Sequence, residues 1–262
     1  MFHYTKAVAK YGVPLLANYF FRLKRWAKHL EKYPQEKRFS RFRKILSNIS
    51  NAMQADIVYF GLENIPQDRK FCMICNHMSA FDPIPFMMAY NKPLTFVAKK
   101  ELMKAPLIPI AMQNIEGLFI DRDDLRQSLK VMLKVEDDLK NGKISWMIFP
   151  EGTRIRDKLL PVGEFHHGTF RPAMKAGVPI IPAAIYGSSR VFKQKPQFKK
   201  YPVFISFLKP IYPEDYAGLS TAEVALKTHD IIQREITYHL RPLDHKVMSE
   251  TKDKKYRFEN LY

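Results

Sequence analysis

The chain has 262 residues, 46% of them hydrophobic, and its 43 Lys and Arg against 26 Asp and Glu give a formal net charge of +17. This length and apolar content suffice for one large domain with an appendage, and the excess positive charge predicts an anionic partner such as nucleic acid, a phosphorylated substrate or an acidic membrane. The two cysteines, Cys72 and Cys75, favour a reducing compartment over a disulfide scaffold. We expect no transmembrane helix, because no run of about 18 uncharged apolar residues occurs.

Residues 1–54 show helical periodicity. Apolar side chains recur at spacings of three and four residues, which predicts an amphipathic helix that Pro14 kinks. Its stripe consists of Tyr4, Val8, Tyr11, Leu15, Tyr19, Leu23, Trp26, Leu30 and Tyr33. Pro34 and the basic stretch up to Lys44 are expected to separate this helix from a second one over 39–54.

The same segment is strongly basic. Residues 1–44 contain twelve Lys or Arg and two Glu, a difference of +10. A basic amphipathic helix with aromatic residues on its apolar side is typical of a membrane interface, which indicates a membrane-association motif over residues 1–54. The alternative is a helix that packs on the following domain and leaves its basic face in solvent.

From residue 55 onward, short apolar runs alternate with helical patterns. This alternation predicts an α/β domain over residues 55–262, with a mostly parallel sheet flanked by helices. The predicted strands are 57–60, 70–75, 94–98, 117–121, 144–149, 179–186 and 202–208. The predicted helices are 83–90, 101–113, 124–140, 168–176 and 221–240. The charged tail after Leu243 is expected to be peripheral.

One short stretch combines a strand end with a helix start. The apolar run 71–75 ends at Asn76 and His77, and Asp82 and Pro83 have the residue types of a helix N-cap and first helical position. A His with a carboxylate nearby is a general base whose imidazolium the carboxylate stabilises. The alternative, that Asp82 only caps a helix and His77 is an ordinary loop residue, stays open from these residues alone.

Cationic residues follow other predicted strands. Lys99 and Arg122 each come at a strand end, and the strand 144–149 leads into Pro-Glu-Gly-Thr-Arg at 150–154. The carboxyl ends of parallel strands meet at one edge of a sheet, so these groups should share a crevice with His77. Arginine and lysine there would suit phosphate oxygens, whereas surface ion pairs are the alternative.

Four stretches together carry a family resemblance. They are Asn-His-Met-Ser-Ala-Phe-Asp at 76–82, Gly-Leu-Phe-Ile-Asp-Arg at 117–122, Phe-Pro-Glu-Gly-Thr-Arg at 149–154 and Val-Pro-Ile-Ile-Pro at 178–182. In order and spacing they resemble the four motifs of the glycerolipid acyltransferases, and the chain from about 57 to 210 resembles 1-acyl-sn-glycerol-3-phosphate acyltransferases of the PlsC type. Ile155 departs from the family pattern, which often has Ser there.

The resemblance implies a role for each matching residue. His77 would be the catalytic general base and Asp82 its partner. Pro179 would belong to the acyl-donor side. The implied acceptor-phosphate site consists of Lys99, Arg122, Glu151, Gly152, Thr153 and Arg154.

The resemblance also implies a reaction. His77 would take the proton of the sn-2 hydroxyl of lysophosphatidic acid, and the oxygen would attack an acyl thioester of acyl carrier protein or coenzyme A, giving phosphatidic acid for phospholipid biosynthesis. A thioester is already activated, so no acyl-enzyme, cofactor or metal is expected. The consecutive residues His166 and His167 lack a nearby third ligand and are interpreted as non-metal.

Members of the family that this chain resembles have a two-helix membrane anchor joined to an α/β domain. This implies a peripheral or monotopic protein on the cytoplasmic face of the cell membrane, in contact with its anionic surface. Acylation of glycerol 3-phosphate or another lysolipid is the nearest alternative. Nucleic-acid binding is a further one, but no ribonucleoprotein or Cys/His finger signature supports it, so no nucleic-acid partner is expected.

Overall fold

The computed structural model describes residues 17, 19–154, 162–192 and 200–252. Their centre is a seven-stranded sheet in the order β1-β7-β6-β2-β5-β3-β4. The strands are β1 (Ala55–Phe60), β2 (Cys72–Cys75), β3 (Leu94–Lys99), β4 (Leu118–Ile120), β5 (Ser145–Ile148), β6 (Ile180–Tyr186) and β7 (Tyr201–Phe207). The predicted α/β fold with a mostly parallel sheet is confirmed.

Five adjacent strands of the sheet, β6, β2, β5, β3 and β4, run parallel to one another. Strand β7 pairs antiparallel with β6, and β1 is parallel to β7, so these two strands run the other way. The carboxyl ends of the five parallel strands therefore share one edge, where open α/β sheets bind ligands.

Helices flank the sheet on both faces. They are α1 (Lys24–Lys28), α2 (Gln35–Ala52), α3 (Pro83–Ala89), α4 (Ile108–Asn114), α5 (Leu125–Lys140), α6 (Arg171–Ala176), α7 (Ser189–Phe192), α8 (Pro213–Tyr216), α9 (Thr221–Glu235) and α10 (Arg241–Lys252). Alternate residues of β2 enter the two sides of the core: Cys72 and Ile74 face one, Met73 and Cys75 the other. The two cysteines are free and buried, on opposite faces as strand geometry requires.

Two predicted elements are wrong in detail. The predicted helix 101–113 is a 3₁₀ helix, Lys100–Lys104, followed by α4. Leu107 between them has a φ of 70°, a left-handed conformation that ends a right-handed helix. The described part of the tail, residues 244–252, is not peripheral, because it forms the greater part of α10 and Val247 is completely buried; residues 253–262 lie outside the described residues.

The N-terminal helices also differ from the prediction. Of the amphipathic stripe, Tyr4, Val8, Tyr11 and Leu15 lie outside the described residues. In the described part, a π-helical turn, Tyr19–Leu23, leads into α1, which ends at Lys28. Helix α2 begins at Gln35, directly after Pro34, so the basic stretch up to Lys44 is part of the second helix and does not separate it from the first. Pro34 suits this position since it needs no N–H partner there.

The apolar faces of α1 and α2 pack on the α/β domain. Leu23 and Trp26 are buried in a cluster with Ile45 of α2, and Ile110 of α4 packs against it. Phe39 and Phe42 join the main core. Among the described residues, no helix is both long and apolar enough to cross a membrane.

Candidate active site

His77 and Asp82 are in direct contact at the carboxyl end of β2. His77 Nδ1 lies 2.8 Å from Asp82 Oδ2. A carboxylate can only accept a hydrogen bond, so Nδ1 carries the proton and Nε2 is left as the basic nitrogen. The side chain of Asp82 is fully buried, whereas that of His77 is 19% exposed. The pair therefore has the geometry of a general base with its orienting carboxylate.

Asp82 does not cap the helix that follows it. It occupies the N-cap position of α3, with Pro83 next, but makes no capping hydrogen bond. Its Oδ2 atom instead accepts the backbone N–H groups of Met78 (2.7 Å) and Ser79 (2.8 Å) together with the His77 ring. The expected capping role is thus wrong, because the carboxylate turns back to organise the loop between strand and helix.

Glu151 holds the backbone of His77. Its Oε1 atom accepts the His77 N–H at 3.2 Å. Glu151 is only 4% exposed. Burial raises its pKa to about 8, although the N–H groups of His77 and nearby Gly163 act in the opposite direction, and nearby Asp82 raises it further. A neutral carboxylic acid therefore stands behind His77 at neutral pH.

Two contacts around His77 had no signal in the sequence. The ring of Phe149 lies against the imidazole, with centroids 4.4 Å apart. The side chain of Asn76 bonds both backbone groups of Ile185, at 3.0 Å to its oxygen and 2.8 Å to its nitrogen, and so ties the end of β2 to β6. Both residues restrict the position of the base.

A cavity of about 650 Å³ opens beside His77. At one side it is lined by cationic and small residues from the ends of β3, β4 and β5, namely Lys99, Arg122, Gly152, Thr153 and Arg154. Partial burial lowers the pKa of Arg122 from its ordinary value. Lys99 forms an ion pair with Glu101 (3.4 Å), which also lines the cavity, and Lys100 forms ion pairs with Asp121 (2.6 Å) and Asp123 (3.7 Å).

Apart from His77 and Glu101, the rest of the described lining is apolar. The cavity extends between α2, α3 and α4, and its wall includes Leu23, Phe42, Ile45, Leu46, Ile49, Met87, Leu107, Ile108, Ala111, Met112 and Ile115. The N-terminal helices thus supply part of the wall of the cavity into which His77 faces. A chamber with a cationic end, a base and an apolar end can hold an amphiphile with an anionic headgroup.

The structure brings six of the eight predicted site residues to this cavity and places two behind it. Asp82 and Glu151 contact His77 and are not among the described lining residues. Within the described part of the chain, no group of three or more His, Cys, Asp or Glu could hold a metal ion.

Fold and site together define an α/β enzyme that combines a His–carboxylate pair with a cationic, partly apolar cavity. A family model described as Acyltransferase matches residues 56–186, half of the chain and the part that contains the whole site. The chain belongs to this acyltransferase family.

Individual proteins agree with this assignment. The chain is 32% identical over 208 residues to a Mycoplasma pneumoniae protein named "Probable 1-acyl-sn-glycerol-3-phosphate acyltransferase", covering 74% of this chain and 76% of that protein. It is 30% identical to the 1-acyl-sn-glycerol-3-phosphate acyltransferase of Escherichia coli, covering 62% and 65%. The crystal structure of PlsC, the 1-acyl-sn-glycerophosphate acyltransferase of Thermotoga maritima, superposes with a TM-score of 0.65 at 25% identity, covering 89% of this chain and 92% of that one.

Proposed function

We propose that this acyltransferase transfers an acyl group from a thioester to the sn-2 hydroxyl of lysophosphatidic acid, forming phosphatidic acid for phospholipid synthesis. The observation that carries the proposal is the His77–Asp82 contact of 2.8 Å beside a cavity that is cationic at one side and apolar along the rest. The names of the related proteins agree with this acceptor.

His77 and Asp82 would carry out the proton transfers of the reaction. His77 Nε2 takes the proton of the acceptor hydroxyl while the oxygen attacks the thioester carbon, and Asp82 stabilises the imidazolium. The tetrahedral intermediate then collapses, the carbon–sulfur bond breaks and the imidazolium returns its proton to the departing thiolate. The donor would be a thioester of acyl carrier protein or coenzyme A.

The acceptor would bind with its phosphate at the cationic side. Lys99, Arg122 and Arg154, with the small residues Gly152 and Thr153 between them, line that side. Arginine can donate two parallel hydrogen bonds to phosphate oxygens, and lysine adds a point charge. An acyl chain would lie along the apolar wall of the cavity.

Product analysis tests this function. The full-length protein is incubated with lysophosphatidic acid or glycerol 3-phosphate as acceptor and with acyl carrier protein or coenzyme A thioesters as donor. We expect phosphatidic acid from lysophosphatidic acid, and a loss of ~10²–10⁴-fold in His77→Ala, the usual contribution of a general base. His229→Ala is the matched control, because His229 lies on α9 and pairs with Asp230. Near wild-type turnover by His77→Ala would contradict the mechanism.

We also propose that residues 1–54 form a membrane-association unit and 55–262 the catalytic domain, at the cytoplasmic face of the cell membrane. The exposed side of the first helices supports this proposal, because Phe21 is 79% exposed and Lys24, Arg25 and Lys28 are exposed beside it. Each cation near an anionic surface contributes about 1 kcal/mol to the free energy of membrane binding. An exposed aromatic side chain adds a hydrophobic contribution that salt does not screen.

Vesicle sedimentation tests the membrane proposal. A variant with Lys24, Arg25 and Lys28 all changed to Gln should bind anionic vesicles more weakly than the wild type does. Its weak binding to neutral vesicles should be unchanged. The control replaces three exposed lysines elsewhere, Lys175, Lys209 and Lys227. If both variants lost the same amount of binding to anionic vesicles, only the net charge of the protein would matter. That result would contradict a membrane-binding role for this segment.

A further inference from the structure

Residues 162–166 lie against the Pro150–Glu151–Gly152 turn that follows β5. The backbone N–H of His166 donates to Pro150 O at 3.0 Å, and Gly163 lies near the buried Glu151 carboxyl group, whose pKa its N–H lowers. Phe165, between these two residues in the chain, is buried in the core. The position of His166 relative to the turn is thus fixed at the backbone.

The imidazole of His166 lies beside Gly152, on the same side as Arg122. A β-carbon at Gly152 would come within 3.2 Å of His166 Cδ2, 3.3 Å of His166 Nε2 and 3.4 Å of Arg122 Cζ. Both side chains therefore approach one point, close enough for a single phosphate group to bind both. Gly152 also has a φ of 67°, so a side chain there would be strained as well as crowded.

The neighbouring histidines differ from His166 in their partners. His167 Nδ1 contacts Thr221 Oγ1 at 3.2 Å, and His229 and His239 pair with Asp230 and Glu235. Among the described residues, no carboxylate forms an ion pair with His166. Arg122 is the charged group that reaches the same point; the charge of Glu101 acts on it, but no carboxylate of the described residues forms an ion pair with either side chain.

We propose that His166 is a further ligand of the acceptor's phosphate, donating an imidazole N–H to a phosphomonoester oxygen of the group that Arg122 binds. This inference deepens the proposed function and rests on it. A phosphomonoester carries close to two negative charges and three acceptor oxygens, more than one guanidinium satisfies. Arg122 and Gly152 line the cavity beside His77, and His166, which is exposed and not itself one of the lining residues, borders the cavity at Gly152.

Kinetics of two neighbouring histidine variants test the assignment. We expect His166→Ala to raise KM for lysophosphatidic acid about 10-fold, the loss of one hydrogen bond to a charged group. His166→Lys should restore KM, because lysine also offers a cationic donor. His167→Ala, the matched control, should leave KM as in the wild type. The inference is overturned if the two alanine variants behave alike, or if KM changes for the thioester donor instead, since that donor can carry phosphates of its own.

A binding measurement separates this inference from the proposed function. Inorganic phosphate and sn-glycerol 3-phosphate are titrated into the full-length protein, and the ring Cε1–H resonance of His166 is followed by NMR after assignment with the alanine variants. We expect that resonance to shift, that of His167 to stay, and the shift to be lost in Arg122→Ala. A shift without acylation of lysophosphatidic acid would refute the proposed function and retain the phosphate site. Acylation without a shift would refute the role of His166.

Discussion

The Glu151 carboxyl group accepts a hydrogen bond from the backbone N–H of His77, with 3.2 Å between nitrogen and Oε1. This bond joins the strand end that carries the base to the turn that follows β5, two segments 74 residues apart in the chain. Because Glu151 lies behind the cavity wall, we predict that it positions His77 as a neutral group and does not need to ionise.

Glu151→Gln should therefore keep kcat within a few-fold of the wild type, since the amide oxygen can accept the His77 N–H in place of Oε1. Glu151→Ala should lose far more, because the partly buried N–H of His77 would remain without this acceptor, at about 1–3 kcal/mol. The measurement is kcat with lysophosphatidic acid at neutral pH. An equally inactive Gln variant would show that the ionised carboxylate is required.

The same variant has a predicted effect on stability against pH. Burial raises the pKa of Glu151 to about 8, from an ordinary 4.5. Between these two values the unfolded state loses the proton that the folded state retains, so this group lowers the stability of the wild type as pH rises. The free energy of unfolding of Glu151→Gln, relative to the wild type, should thus increase from pH 4.5 to 8 and then level off. Denaturant unfolding across this range would refute the prediction if the difference were constant.

Asp82→Asn should separate the effect of the carboxylate charge on His77 from the effect of the carboxylate's hydrogen bonds to the loop. The amide oxygen can take the place of Oδ2 and accept the N–H groups of Met78 and Ser79, but the neutral amide no longer stabilises the imidazolium; in serine proteases the corresponding Asp-to-Asn change lowers kcat by about 10⁴-fold. Asp82→Ala should be as inactive and also less stable by about 1–3 kcal/mol, because the N–H groups of Met78 and Ser79 lose their acceptor. Activity assays and denaturant unfolding on both variants give the comparison, and a fully active Asn variant would contradict it.

A buried ion pair attaches α2 to the catalytic domain. The Arg38 side chain, 4% exposed, donates to Glu116 Oε1 at 2.6 Å and to the carbonyl oxygens of Tyr33 and Asn114. Burial alone would raise the pKa of Glu116, but hydrogen bonds from Lys143, Arg38 and Gln35 lower it to about 2. Two segments far apart in the chain are thus held together at one carboxylate.

Arg38→Met should lower the free energy of unfolding by about 3 kcal/mol, because removal of one partner leaves buried polar groups unpaired. Arg69→Met is the matched control: its pair with Asp68 is exposed on both sides, at 57% and 68%, and such pairs contribute about 0–1 kcal/mol. Urea unfolding of the full-length protein measures both. Similar losses in the two variants would contradict a role for Arg38 in attaching the helix.

Acid should weaken the same attachment. The pKa of Glu116 is lower in the folded state, at about 2, than its ordinary 4.5, so its contribution to stability is present above pH 4.5 and is lost as pH falls toward 2. Glu116→Gln should remove this part of the pH dependence. Unfolding curves that keep the same acid dependence in the variant would refute the assignment.

The cavity wall predicts a change in chain-length preference. Ala111 of α4 lines the apolar part, and Ala111→Phe would fill space that an acyl chain would occupy. We expect the variant to prefer thioesters with shorter acyl chains than the wild type does. The KM for the phosphorylated acceptor should change little. Competition between thioesters of different lengths measures the shift. An unchanged length profile in a folded variant would place the chain elsewhere.

The sequence alone determined much of the strand order along the chain and the chemistry at the strand ends. Apolar runs such as 71–75 and 144–149 are local signals, and parallel strands bring their carboxyl ends to one edge without further information. The sequence therefore assigns His77, Arg122 and the Glu-Gly-Thr-Arg run to one crevice.

Only the tertiary structure decided which contacts each of those residues makes. Whether Asp82 caps a helix or turns back to a loop depends on competing donors a few ångströms away, and both options suit the same residue type. The partners of Arg38, the neutral state of Glu151 and the approach of His166 to Gly152 arise between segments 14 to 78 residues apart. No local pattern encodes such contacts, because burial and hydrogen-bond geometry are set only when the distant segments pack together.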